Sequence, residues 1–548
     1  MNIEEAFAAA LRLQQTGQLA GAEAGYRRIL AVEPGQAGVH YNLGLVLCGQ
    51  GLLEAAVAAY AKALELQPHF PVAANNLGAV LERLGRFDEA EHWYRQALRM
   101  DPGSAEAWSN LGGVLKDLAR FDEAMECHDR AIALQPGNAR LHSNRVFTLH
   151  YGAADDPAVL LRAARDWNDR FAAPLASAVG THGNDRTPGR RLRLGYVSAN
   201  FREHCQAQFT VPLLERHDHG VFEIFCYSDV SAADAVTGRL RACADVWRET
   251  AGQSDADLAA LVRRDRIDVL VDLTLHMAHD RLLLFARKPA PVQVTWLGYP
   301  GTTGLEAIDY RLTDPWLDPS GVADACYAER SHRLADSFWC YDPLAKGPPV
   351  NPLPARDTGH VTFGCLNNFC KVNDGMLALW ARVLRAVPGS RLLLLAPSGS
   401  ARDRAMARLG VPAARVEFVP YQPRADYLQA YHRIDVGFDT FPYNGHTTSL
   451  DSLWMGVPVV SLSGRTVVSR AGLSLLSNLG LADLAADTPG RFVDIAVSLA
   501  RDPDRLAALR MGLRERMTAS PLMDAGQFTS NLEAAYRTMW RRWCGTDR

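Results

Sequence analysis

The chain has 548 residues, 48% of them hydrophobic, with 58 Lys and Arg set against 61 Asp and Glu for a formal net charge of −3. That length admits roughly two to four domains with large cores, and the balanced charge excludes a whole-protein basic footprint for nucleic acid. No apolar run approaches membrane-spanning length, the opening MNIEEAFAAALRLQQ lacks the basic start of a secretory leader, and the ten scattered cysteines, none in a CxxC pair, predict free thiols in a reducing cytoplasm.

The first quarter repeats itself. Pro34, Pro68, Pro102 and Pro136 fall 34 residues apart, as do Gly17, Gly51 and Gly85, with Ala119 in the fourth place. Ala22, Ala56, Ala90 and Ala124 keep the period, and so do Tyr26, Tyr60, Tyr94 and His128. This is the signature of tetratricopeptide repeats. Residues 1–150 are therefore expected to form an α-solenoid of helix hairpins, each burying its apolar face on its neighbours. Asn42, Asn76, Asn110 and Asn144 share the register. Asparagine is a mediocre helix former. A row of them either holds the backbone of an extended peptide through paired amide contacts or satisfies contacts between the solenoid's own helices.

Residues 151–189 read as a helical linker, and from Arg190 the texture changes. RRLRLGYVSANF, FEIFCYS, IDVLVDL and PVQVTWLGYPG look like strands, with helical stretches such as DADLAALVRRD between them. Strands alternating with helices predict a parallel sheet wound with helices, here over 190–345. A Pro- and Gly-rich break, YDPLAKGPPVNPLPARDTGH, marks a linker at 346–360. A second series over 361–548 runs through HVTFGCLNN, a helix with apolar face Met376, Leu379, Trp380, Val383 and Leu384, then RLLLLAPS, RVEFVPY, IDVGFDTF and GVPVVSL. Two such domains imply a cleft, and ligands of these sheets bind outside the carboxyl ends of the strands.

One stretch concentrates the chemistry. In VGFDTFPYNGHTTSLDSLWMGVPVVSL a strand hands over to a helix through Asn444-Gly445-His446-Thr447-Thr448. Thr447 or Thr448 is expected to cap the helix. The exposed N–H groups and the positive end of the helix dipole suit an anion, with His446 and the hydroxyls as further donors. Asp451 lies one turn beyond Thr447, where a carboxylate can accept hydrogen bonds from a sugar diol.

The repeats, joined to GYVSANFREH, KPAPVQVTWLGYPGTTG, CLNNFCKVND and FDTFPYNGHTTSLDSLWMGVPVVSL, resemble the protein O-linked N-acetylglucosamine transferases, glycosyltransferase family 41. The resemblance runs over nearly the whole chain. It implies a GT-B fold, two Rossmann-like domains with the active site between them, following the solenoid. It also implies inverting transfer of N-acetylglucosamine from UDP-GlcNAc to Ser or Thr hydroxyls of proteins, without a metal or other cofactor. The short join between the sheets matches bacterial members, with no room for the extra domain of animal members. By the same resemblance His446, Thr447 and Thr448 form the donor-phosphate loop, Asp451 holds the ribose, and Lys371 binds the diphosphate and stabilises the charge on departing UDP. Asn368, where many members have glutamine, and Gln422 are donor contacts. Arg424 and Tyr427 fall where animal members carry lysine and histidine near the uracil. Leu297 and Gly298, in WLGYPGTTG, approach the sugar from the other domain. His204, in FREHCQAQF, matches a histidine near the sugar that acts either as general base or as a positioning residue. His276 and His279 are weaker candidates to face the cleft.

Asp502-Pro503-Asp504 and Asp255-Ala256-Asp257 have the letters of a metal-binding DxD pair, but each precedes a helix and reads as a cap. The expected partners are protein or peptide acceptors in the repeat groove and a UDP-sugar, with no nucleic acid and no membrane; the family leaves room for a homodimer. Two alternatives stay open: a protein glycosyltransferase with another donor, GDP-fucose or UDP-glucose, or a peptide-binding scaffold with an inactive transferase half.

Overall fold

The computed structural model describes residues 2–152, 155–344 and 347–545. Residues 153–154 and 345–346, within or beside the expected linkers, lie outside the described residues. The chain divides into two compact units, Met1–Leu141 with Ala396–Arg404, and His142–Leu395 with Ala405–Arg548.

The first unit is built on paired helices: α1 (Ile3–Gln15), α2 (Leu19–Val32), α3 (Ala37–Gly49), α4 (Leu53–Leu66), α5 (Pro71–Arg83), α6 (Phe87–Met100), α7 (Ala105–Asp117) and α8 (Phe121–Leu134). The periodic residues explain the pairing. Gly17, Gly51 and Gly85 end a helix with φ of 74°, 78° and 72°, and Ala119 takes the same left-handed turn at 55°. Within three of the four hairpins a glycine receives an aromatic ring. A Cβ on Gly44, Gly78 or Gly112 would lie 2.6–2.7 Å from the ring of Tyr60, Tyr94 or His128. Ala22, Ala56, Ala90 and Ala124 are fully buried beside them. The helix α9 (Ala139–Leu149) carries the register into the second unit, where α10 (Pro157–Trp167) follows.

The second unit holds two parallel sheets. The first has seven strands, β1 (Leu192–Ser198), β2 (Phe222–Ser228), β3 (Val246–Glu249), β4 (Val269–Asp272), β5 (Val292–Thr295), β6 (Tyr310–Thr313) and β7 (Arg330–Arg333), in the order β3-β2-β1-β4-β5-β6-β7. The second has six, β8 (Thr362–Cys365), β9 (Arg391–Leu395), β10 (Val416–Val419), β11 (Val436–Phe438), β12 (Val459–Leu462) and β13 (Ala485–Ala486), in the order β10-β9-β8-β11-β12-β13. Central strands such as β4 and β12 are buried at every position, as a parallel sheet covered on both faces requires. The helix Ala525–Cys544 returns to the first sheet: Glu533 accepts from His217 at 2.8 Å and Tyr196 donates to Tyr536 at 3.5 Å.

Candidate active site

In each sheet the strand order reverses about its first strand, β1 between β2 and β4 and β8 between β9 and β11. The loops that leave these strands open the crevice where such sheets bind ligands, and they carry the candidate residues.

After β11 the chain turns through Asp439, whose buried carboxylate accepts from the N–H groups of Gly445 (2.6 Å) and Thr440 (2.8 Å) and from Ser461 Oγ (2.6 Å). Burial raises its pKa to about 6. Asn444 pins the same loop by donating to the carbonyls of Thr440 (2.6 Å) and Leu462 (3.3 Å). Gly445 has no space for a side chain, since a Cβ would meet Ser449 Oγ at 2.4 Å and Asn367 Oδ1 at 2.9 Å. So tethered, the loop delivers His446, not a threonine, to the N-cap position of the helix Thr447–Trp454, and no side chain caps it. The expected threonine cap is thus corrected: Thr447 and Thr448 are the first two helical residues. The first-turn N–H groups are left for a ligand. The His446 ring packs 5.3 Å from Trp339 and 5.2 Å from Tyr443. Burial, then the Lys371 charge, holds it neutral, and its Nε2 is buried without a partner, as is Asn367 Oδ1.

Lys371 ends the short turn Phe369–Lys371, which Asn368, itself exposed, caps by accepting from the Cys370 N–H at 3.3 Å. Its Nζ donates to the Asn444 carbonyl at 2.8 Å and stands 4.0 Å from the Tyr443 ring centroid. Burial pulls its pKa down to about 8 against the opposing pull of Cys370 and Asp439. Asp451, on the helix after the loop, is buried and held by three donors: Arg424 grips it at 2.5 and 2.6 Å and Tyr341 donates at 2.5 Å. Tyr427, with its ring 5.9 Å from Arg424, meets the Tyr431 hydroxyl at 2.7 Å, and Tyr431 donates to the Thr448 carbonyl at 3.1 Å. Gln422 is half-buried just before Arg424.

From the first sheet, the loop after β1 brings His204, half-buried and lowered to about 4 by burial and then by Arg202. Its Nδ1 accepts from the Gln206 N–H at 3.2 Å. The neutral ring must then carry its proton on Nε2, so that nitrogen, 3.9 Å from the Cys205 sulfur, is a donor. After β5, Leu297 is buried with φ 76°, and Gly298 lies so close to β4's exit that a Cβ would meet the Thr274 carbonyl at 2.8 Å. His276 does not face the cleft: it is fully buried, with Nε2 2.8 Å from the Thr303 carbonyl and Nδ1 3.3 Å from Ser143 Oγ. His279 is exposed in a left-handed turn. Asp502 caps its helix by accepting from Arg505, whereas Asp255 and Asp257 sit inside the first turn of a helix capped by Ser254. Among the described residues no group of three or more His, Cys, Asp or Glu stands close enough to hold a metal ion, and no helix is long and apolar enough to cross a membrane.

The asparagine row is half-buried and partly committed. Asn42 donates to the Gly38 carbonyl (2.8 Å), Asn76 to Tyr41 (3.2 Å) and Asn110 to Asn75 (3.1 Å), while Asn144 lies on α9. A cavity of about 750 Å³ opens elsewhere, along β7 beside Asp309, Arg333 and Trp543. Asp309 pairs there with Lys288 and Arg333 with Asp324, and none of the residues discussed above as donor contacts lines it. Sequence reasoning passed over Asp439, Tyr443, Tyr341 and Trp339. The one signal for Asp439 was its place directly after a strand that ends in the loop.

The family model described as glycosyl transferase family 41 matches residues 176–345 and 353–532. Tetratricopeptide repeat models match residues 35–103 and 83–144. The chain is 42% identical over 415 residues to a protein of Petunia hybrida named as a probable UDP-N-acetylglucosamine–peptide N-acetylglucosaminyltransferase, SPINDLY, covering 74% of this chain and 44% of that one. It is 32% identical to a protein of Arabidopsis thaliana named SEC with the same probable activity, covering 65% and 38%. The chain thus spans less than half the length of these curated relatives. A solved O-GlcNAc transferase of Thermobaculum terrenum, a point mutant, superposes with a TM-score of 0.86 at 39% identity, covering 94% of this chain and 99% of the other.

Proposed function

The chain belongs to glycosyl transferase family 41, and from that premise we propose that it transfers N-acetylglucosamine from UDP-GlcNAc to Ser or Thr hydroxyls of proteins, in the cytoplasm. The observation that carries this is an unfilled anion site. The helix Thr447–Trp454 starts uncapped, beside an unpartnered His446 Nε2 and a buried lysine, Lys371. A diphosphate supplies the acceptor oxygens that this set of donors lacks.

In the proposed reaction the acceptor hydroxyl attacks the anomeric carbon from the face opposite UDP. The new C–O bond forms as the bond to the β-phosphate oxygen breaks, so the anomeric configuration inverts. The bond pair leaves with UDP, and the hydroxyl proton passes to solvent or to a phosphate oxygen. Lys371, the first-turn N–H groups, Thr447 and Thr448 meet the charge that grows on the diphosphate. This places positive charge where other transferases place a metal. Asp451, already held by Arg424 and Tyr341, offers its carboxylate to the ribose, and Gln422, Arg424, Tyr427 and Asn368 border the base. Leu297 and Gly298 form the sugar's other wall. His204 acts as a hydrogen-bond donor, because its Nδ1 lone pair is taken by Gln206 and its basicity is low. The repeats recruit the acceptor chain along the row of Asn42, Asn76, Asn110 and Asn144.

Intact-mass analysis after incubation with a Ser/Thr peptide library and UDP-GlcNAc, UDP-glucose or GDP-fucose tests this. An N-acetylhexosamine adduct from UDP-GlcNAc, absent in Lys371→Ala, is expected. A hexose or deoxyhexose adduct instead would replace the donor, and no adduct from any donor would leave a peptide-binding scaffold.

A further inference from the structure

The segment that follows α9 reaches the donor site twice. Tyr151 lies stacked on Tyr443, with ring centroids 4.7 Å apart and planes 13° from parallel, and both rings are buried. A ring that close fills one face of Tyr443, so the Lys371 ammonium, 4.0 Å from the centroid, occupies the other. Four residues on, Asp155 accepts from the N–H groups of Arg465 (2.5 Å) and Thr466 (2.9 Å) and from the hydroxyls of Thr466 (2.7 Å) and Ser469 (2.8 Å). That clasp fixes the turn after β12. From the same turn the Val468 carbonyl accepts the Asn444 N–H at 3.1 Å, and the Asn444 carbonyl accepts Lys371 Nζ at 2.8 Å. One segment thus holds the aromatic face under the lysine and the carbonyl in front of it.

We propose that Tyr151 and Asp155 are positioning residues for Lys371, fixing where its ammonium stands and keeping water from it. The proposal rests on the transferase function above for its kinetic consequences. The titratable groups whose charge acts on or feels Lys371 include the thiols of Cys205, Cys365 and Cys370, the Asp439 carboxyl and the His446 imidazole. Tyr151 reaches Lys371 through the Tyr443 ring and Asp155 through the turn after β12, so removing either acts on geometry and hydration. Loss of the stack admits water, which favours the charged amine.

Competitive labelling with acetic anhydride across pH, read at Lys371 by peptide mass spectrometry on the full chain without donor, measures this directly. Tyr151→Leu and Asp155→Ala are expected to move the Lys371 labelling midpoint upward, while Tyr151→Phe, which keeps the stack, leaves it in place. With UDP-GlcNAc, the first two are expected to lower kcat about tenfold to a hundredfold at unchanged acceptor KM. An unmoved midpoint in both variants overturns the proposal. So does a Tyr151→Phe variant as impaired as Tyr151→Leu, or a rise in KM at constant kcat. If the unsubstituted chain transfers no sugar, the transferase function fails and the labelling alone decides the roles of Tyr151 and Asp155.

Discussion

Within the solenoid, Asn76 donates to Tyr41, Asn110 to Asn75 and Tyr94 to Glu82, each closing on a residue of the same or an adjacent repeat. Around the helix Thr447–Trp454, His446 Nε2 and Asn367 Oδ1 end without partners, no side chain caps the first turn, and an amine is buried deeply enough to lose most of its basicity advantage. The repeats close these polar groups on one another because neighbouring units repeat similar contacts, although Gln50 Oε1 is buried without a partner. In the candidate donor site His446 Nε2 and Asn367 Oδ1 are left unmet, a cost that a bound ligand would offset. The difference separates residues that hold the fold from residues that wait for something.

The sharpest way to break this contrast is at Lys371. Replacement by Met is expected to lower kcat about 10²- to 10³-fold, the loss typical of a key charge-stabilising donor, while raising Tm, because an ammonium no longer has to be buried. A lower Tm in Lys371→Met would place the lysine with the structural groups. The pH dependence follows from the same residue. With the native pKa near 8 and an ordinary lysine near 10.4, the burial penalty is full below about 8 and fades as pH rises from there, where the folded chain sheds a proton that the unfolded chain keeps. Activity runs the other way: kcat/KM is expected to fall as pH rises through about 8, and a profile flat to pH 10 would remove Lys371 from charge stabilisation. Next in size is Asp451→Asn, which loosens the grip of Arg424. The KM for UDP-GlcNAc is expected to rise about tenfold, the worth of a charge-assisted hydrogen bond, with isothermal titration of UDP giving the same change in affinity.

On the solenoid side the effects are smaller and lie in stability. Gly78→Ala puts a Cβ 2.7 Å from the Tyr94 ring and is expected to cost about 1–3 kcal/mol, read as a lower urea midpoint for the helical signal. Ala119→Gly should act in the opposite sense. Ala119 holds a left-handed turn at φ 55° that its three counterparts assign to glycine, so the change is expected to stabilise by about 1 kcal/mol. No gain would mean that the local packing, not the backbone, sets the energy of that turn.

Much of this was legible in the chain itself, for a physical reason. Gly44 and Tyr60 are 16 residues apart, as are Gly78 and Tyr94, and a contact copied every 34 residues announces itself. Strands such as Arg391–Leu395, whose four leucines are buried, appear as apolar runs. Lys371, His446 and Asp451 were legible because they sit in motifs at strand ends. What was not legible depends on partners far along the chain. The misplaced cap followed from reading NGHTT locally, when Asp439 pulls Gly445 inward and makes His446 the boundary residue. His276 looked free until Ser143, 133 residues away, and Thr303 closed around it. Tyr151 gave no sign at all, since its meaning lies in a ring at position 443.

The return of the helix Ala525–Cys544 to the first sheet bears on how the molecule is made. Tyr196 waits for Tyr536, 340 residues later in the chain. At a synthesis rate of about 5–20 residues per second, that face of the sheet emerges from the ribosome roughly 17 to 70 seconds before its cover exists. During that interval Tyr196 and Phe222, both buried in the finished molecule, are available to chaperones and to neighbouring nascent chains. The second sheet, by contrast, ends with Ala485–Ala486, before the helix Ala525–Cys544 is made, so it is free to finish its strands before the first sheet receives its cover.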